Sequence, residues 1–136
     1  MGEGTYQAWL KWSLYALSGY FFAVAAVHLF GVKIPLLFVY FNVPSYAYQD
    51  RIISFLALGW GVFILTAAQN IAASKGFVRA LIIAGLLAVI WLSINNSVTD
   101  FAAIAPGLTR CAYWLQTGGL GVVVGWLYWL YKKSFS

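Results

Sequence analysis

The sequence predicts an all-α integral membrane protein, one four-helix bundle running up-down-up-down, and three observations predict it. Apolar residues fill 63% of the 136 positions and charged residues only 8%, against roughly a quarter charged in soluble domains. The apolar residues gather into four runs of about the 20 residues a helix needs to cross a hydrocarbon core. All eight basic residues, Lys11, Lys33, Arg51, Lys75, Arg79, Arg110, Lys132 and Lys133, stand at the edges of those runs, where a cation meets headgroups rather than acyl chains.

The first crossing spans about residues 12–32, between Lys11 and Lys33. Along it Ala16, Gly19, Ala23 and Ala26 recur at helical spacing, a small-residue stripe that predicts an inward face because it lets a second backbone come close. Residues 34–43 are as apolar but too short to cross. Pro35 and Pro44 bracket them, and this Tyr- and Phe-rich segment between helices 1 and 2 is expected to lie along the interface, where a ring keeps one end dry and one wet.

The second crossing, about 52–73, follows Asp50 and Arg51 and carries Gly59, Trp60, Gly61, Gln69 and Asn70. A short basic turn holding Lys75, Gly76 and Arg79 joins it to the third crossing, about 80–98, which makes the two antiparallel neighbours. A loop with Asp100, Pro106 and Gly107 leads to the fourth, about 111–131, closed by Lys132 and Lys133. The connections leave no room for a soluble domain, so residues 1–136 read as a single membrane domain. The first dozen residues lack the pattern of a removable signal peptide, and the first crossing is expected to be its own insertion signal.

The net charge is +5, yet the cations stand singly between apolar runs or at the C-terminus and form no basic groove, which argues against nucleic acid and leaves the lipid bilayer as the partner. Lys11, Lys75, Arg79, Lys132 and Lys133 share one side, and Lys33, Arg51 and Arg110 the other; the positive-inside tendency then places both termini in the cytoplasm. A single cysteine, Cys111, excludes an internal disulfide and a thiolate metal cluster, and no metal site is expected.

Polar residues inside the runs are the candidate functional positions. His28, Asn95, Asn96 and Gln116 lie about 6 to 9 Å inside their outer flanking residues at 1.5 Å of rise per residue, and Ser54 is slightly shallower. At least one of the adjacent amides Asn95 and Asn96 must turn toward protein, since neighbouring helical positions point about 100° apart and an amide in hydrocarbon needs a partner. Two readings stay open for this layer: hydrogen-bonding glue, at ~0.6 kcal/mol per contact, or an outward-facing polar pocket for a ligand or headgroup. His28, the one histidine, lacks a second axial partner for haem; it could ligate a pigment, or bond an Asn or Gln of the layer. Helix packing is expected at Gly19, Gly59 and Gly61, and above all on the fourth helix, where Gly121 and Gly125, extended by Thr117, should make the closest contact, within the bundle or with another chain.

No nucleophile, base and acid gather as hydrolysis would need, and His28 has only Asp50 or Asp100 in the outer loops to orient it. No carboxylate sits mid-helix as a proton-coupled antiporter would require. The order of parts, a first span, an outer loop ending YQDR, a glycine-bearing span ALGWGVFILTAA, a basic turn, and a third span closing in polar residues before an aspartate, resembles the DoxX-like group of small four-helix membrane proteins. That resemblance implies a membrane subunit, in some members one linked to quinone oxidoreductases, with Arg51 opening the second span and Gln116 standing where relatives often carry an acid. The reading is a non-catalytic small integral membrane protein, a subunit or lipophile-binding partner of a membrane complex. Its rivals are an oligomeric channel or small transporter and a membrane subunit of a quinone-linked oxidoreductase. The sequence requires no cofactor, though a quinone or pigment would suit it, and a homo-oligomer or larger complex is the expected partner.

Overall fold

The computed structural model describes residues 3–38, 40–104 and 110–135, with Pro106 and Gly107 outside them. The described residues form five helices, α1 (Glu3–Phe30), α2 (Ala47–Gln69), α3 (Lys75–Val98), the single turn α4 (Phe101–Ile104) and α5 (Arg110–Phe135). Three of them, α1, α2 and α3, are long and apolar enough to cross a membrane. At 26 residues, α5 is just as long, but Arg110, Gln116, Thr117, four glycines and two lysines dilute its apolar character.

Helix bounds differ from the apolar runs because backbone hydrogen bonding continues past the hydrocarbon until something breaks it. Thus α1 begins at Glu3, well before residue 12, and stops at Phe30. There Gly31 turns left-handed at φ 67°, Gly31 N donates to His28 O at 3.3 Å and Val32 N to Val27 O at 2.9 Å, the paired bonds of a glycine-ended helix. Likewise α2 starts at Ala47, bringing Asp50 into its first turn, where a carboxylate is favoured by the helix dipole. Asp100 Oδ1 accepts from Ala102 N at 3.2 Å and caps α4.

Side-chain bonds set the directions. Ser18 Oγ donates to Gly61 O at 2.8 Å and Ser54 Oγ to Ala25 O at 2.7 Å, so α2 runs antiparallel to α1. Trp126 Nε1 donates to Ser13 Oγ at 3.0 Å and Gln7 Nε2 to Ser134 O at 3.3 Å, so α5 is antiparallel to α1 as well. Asn96 bonds Thr117 near one end of α3, and Lys75 Nζ sits 5.4 Å over the Phe135 ring near the other. The closely packed pairs are α1 with α2, α3 with α5, and α1 with α5. Although a short turn joins α2 to α3, that pair is not among them. A cleft of about 280 Å³ lies between the α1–α2 pair and the α3–α5 pair, walled by Phe21, Trp60, Gly85 and Val124 among others.

Leu10, Leu14, Ile64, Ala68, Val78, Leu127 and Leu130 form the core, toward the end that holds the termini and the α2–α3 turn. The outside is apolar: Phe55 is 74% exposed, Trp91 72% and Val122 73%. Water tolerates no continuous shell of that kind, whereas hydrocarbon does.

The small-residue stripe of α1 does not face inward. The buried positions of α1 are Leu10, Leu14, Ser18, Ala25 and His28, while Ala16, Gly19 and Ala26 are exposed. Nor does α5 make its closest contact through glycine, since a Cβ at Gly121 or Gly125 would meet nothing within 4 Å, and the same holds at Gly19 and Gly59. The tight positions are Gly61, whose Cβ would lie 2.7 Å from Phe22, and Gly85, 2.6 Å from Val124. Larger side chains win the inward face of α5, where Tyr113, Thr117, Val124, Leu127 and Leu130 are buried, because burial and dispersion scale with the area and atoms brought together.

Candidate functional site

The connection between α1 and α2 is anchored to the helices it joins. It dips back over the end of the helices: Phe38 is 3% exposed and stacks on His28 with ring centroids 3.5 Å apart. His28 in turn meets Asp50 rather than an amide, with Nδ1 at 3.3 Å from Oδ1. Facing a carboxylate, Nδ1 carries the ring proton. Ser45 Oγ donates to Asp50 Oδ2 at 2.8 Å, Lys33 Nζ lies 3.8 Å from the same oxygen and contacts Ser45, and Lys33 also sits 4.5 Å over the Phe38 ring. One buried carboxylate thereby ties α1, the connection and α2 together.

A second cluster surrounds Tyr40. Its hydroxyl donates to Asn96 Oδ1 at 3.0 Å and accepts from Asn95 Nδ2. Asn96 Nδ2 donates to Thr117 Oγ1 at 3.0 Å, Thr117 donates to Tyr113 O at 2.9 Å, Thr99 donates to Asn95 Oδ1 at 3.1 Å, and Tyr113 donates to Asn42. The rings of Tyr40, Phe101 and Tyr113 pack mutually, with centroids 4.6 to 5.7 Å apart. Partners this well matched make a rigid network.

The five polar positions singled out from depth therefore fall into separate groups. His28 belongs to the Asp50 cluster, Asn95 and Asn96 to the Tyr40 cluster, and Ser54 fastens α2 to the backbone of α1. Gln116 reaches the Phe38 carbonyl at 3.4 Å. His28, Gln116 and the two asparagines are linked through the connection, whose Phe38 and Tyr40 no depth comparison could place. Asp50 was within reach of sequence reasoning: it sits where a helix N-terminus welcomes a carboxylate.

Beside these clusters an apolar trough of about 540 Å³ runs between α1 and α5, with Ala16, Tyr20, Leu36, Gln116, Gly119 and Trp126 in its walls. Among the described residues no three His, Cys, Asp or Glu side chains gather as a metal would need. Set against protein-family models, curated proteins and solved structures, the chain matches none of them.

Proposed function

We propose that the chain is a multi-pass membrane protein of four crossings, up-down-up-down, which binds a lipophile and serves, without catalysing a reaction, as a small subunit of a membrane complex. The trough carries this reading. Its volume of about 540 Å³ falls within the roughly 300–1,000 Å³ of ordinary small-molecule sites, its walls are almost wholly apolar, and it opens at membrane depth. The Asp50 cluster supports a structural role, because one carboxylate shared by His28, Ser45 and Lys33 ties α1, the connection and α2 together. The DoxX-like order of spans fits such a subunit.

Native mass spectrometry of the detergent-purified protein should find an apolar small molecule retained. Gly119 lines the trough and has open space where a Cβ would go, so Gly119→Trp should fill the site and release that molecule with the fold intact. Equal retention by both proteins would rule the trough out, and ion flux through reconstituted liposomes would favour a channel instead.

The same proposal places both termini and the Lys75–Arg79 turn in the cytoplasm. In a Cys111→Ser background, a thiol reagent that cannot cross the membrane should label Tyr46→Cys from outside and spare Lys133→Cys. The opposite pattern would invert the topology.

A further inference from the structure

We infer that the end of the bundle holding the termini selects an anionic phospholipid, its headgroup phosphate held by Lys75 and Arg79 at the start of α3 beside the lysine pair that ends α5. The inference depends neither on the trough nor on which side of the membrane that end faces.

The charge imbalance of the chain is concentrated there. Lys11, Lys75, Arg79, Lys132 and Lys133 gather at this end with Glu3 as the one acidic side chain, and neither α3 nor α5 contains an Asp or Glu. Whichever cation Glu3 meets, four are left over. At the opposite end Asp50 and Asp100 accompany Lys33, Arg51 and Arg110; Lys33 lies against Asp50, and Arg110 donates to the Thr99 carbonyl. The chain answers its cations at one end and leaves them to an outside anion at the other.

These cations converge on the seam between α3 and α5. Lys75 and Arg79, both exposed, are four residues apart and share a face of α3. Lys75 Nζ lies 5.4 Å over the Phe135 ring, and Lys132, three residues before Phe135, shares that side of α5. A ring face does not neutralise an ammonium. Like charges a turn apart repel, and a phosphate set among them replaces that repulsion with charge-assisted hydrogen bonds, for which the Arg79 guanidinium has a two-pronged fit.

Depth identifies the anion as a lipid headgroup. Trp9 on α1 and Trp126 and Trp129 on α5 are exposed and form one indole layer, with centroids 6.4 Å apart from Trp9 to Trp126 and 5.1 Å from Trp126 to Trp129. Exposed tryptophans mark the boundary between hydrocarbon and headgroups. Lys132 and Lys133 follow Trp129 by three and four residues, about 5 to 6 Å at 1.5 Å of rise, within a headgroup layer about 5 to 8 Å thick on each side. Lys75, over Phe135, stands at the same level. Lipid phosphates already crowd that layer, at a concentration no dissolved anion approaches.

The test takes the full chain in nanodiscs of equal parts phosphatidylcholine and phosphatidylglycerol and reads the lipids retained in native mass spectrometry. Phosphatidylglycerol should outnumber phosphatidylcholine by about tenfold or more, as two cations that each favour an anionic surface imply. Lys75→Gln/Arg79→Gln should bring the ratio near one. The charge-keeping swap Lys75→Arg/Arg79→Lys should preserve it, as should Arg51→Gln at the opposite end. Equal retention of both lipids by the parent chain, or a preference that survives Lys75→Gln/Arg79→Gln, would overturn the site. An equal fall with Arg51→Gln would reduce it to the general attraction of a basic protein, and a fall with the charge-keeping swap would mean that charge is not what selects. In detergent, millimolar inorganic phosphate should leave the melting temperature unchanged while phosphatidylglycerol raises it; the same rise from both would overturn the assignment to lipid.

Discussion

Asp50→Ala should lower the melting temperature in detergent by roughly 10 °C, given a few degrees per kcal/mol for a chain of this size. The carboxylate is 6% exposed and is shared by His28, Ser45 and Lys33. Removing one partner of a buried ion pair costs about 3 to 5 kcal/mol. Lys33 keeps 35% of its side chain exposed, and screening there brings the expectation to the lower end, about 3 kcal/mol. The double variant Asp50→Ala/Lys33→Met should lose less than the two single losses added together, since the pair is then removed as a unit. A shift below about 2 °C would mean that Asp50 faces water and that the connection is held by other contacts.

Gly85→Leu should have the next largest effect. Its Cβ would lie 2.6 Å from the nearer methyl of Val124, and a β-branched side chain on a helix has almost no alternative rotamer with which to yield. Overpacking of this sort costs about 1 to 3 kcal/mol and should pry α3 from α5. Val124→Ala should restore much of the loss in the double variant. Gly121→Leu is the control, because nothing stands within 4 Å of its Cβ, and its melting curve should match the parent. If Gly85→Leu melts like Gly121→Leu, the α3–α5 seam is looser than described.

Helix placement was legible because hydrophobic run length is set by the bilayer, and the positions of Lys11, Lys33, Arg51, Lys75 and Arg110 mark its edges. Which face of each helix turns inward was not. Small residues permit close approach without compelling it, and on α1 the hydroxyl of Ser18 made the contact that Gly19 was expected to make. Tyr40 was unreadable for a different reason. A tyrosine in a short apolar segment is expected at the headgroups, and only the turn of the connection brings its hydroxyl onto Asn95 and Asn96, 55 and 56 residues away. An Asn or Gln was expected to hold His28, with Asp50 or Asp100 considered only as outer-loop acids, because the second helix was not expected to start as early as Ala47, which carries Asp50 under the connection.

The segment between α1 and α2 is fastened to elements made long after it. As the chain emerges, α1 and α2 can zip together at once, with Ser18 on Gly61 and His28 on Asp50. Phe38 must wait for Gln116, and Tyr40 for Asn95 and Asn96. The newborn hairpin is therefore held by Phe38 on His28 and by Ser45 on Asp50 while the Tyr40 part of its bend is still unfastened, and arrival of the later helices seals it. A chain truncated before Arg110 should insert and keep the His28–Asp50 link, yet leave that bend open to protease, so that resistance to cleavage there reports completion of the protein rather than its insertion.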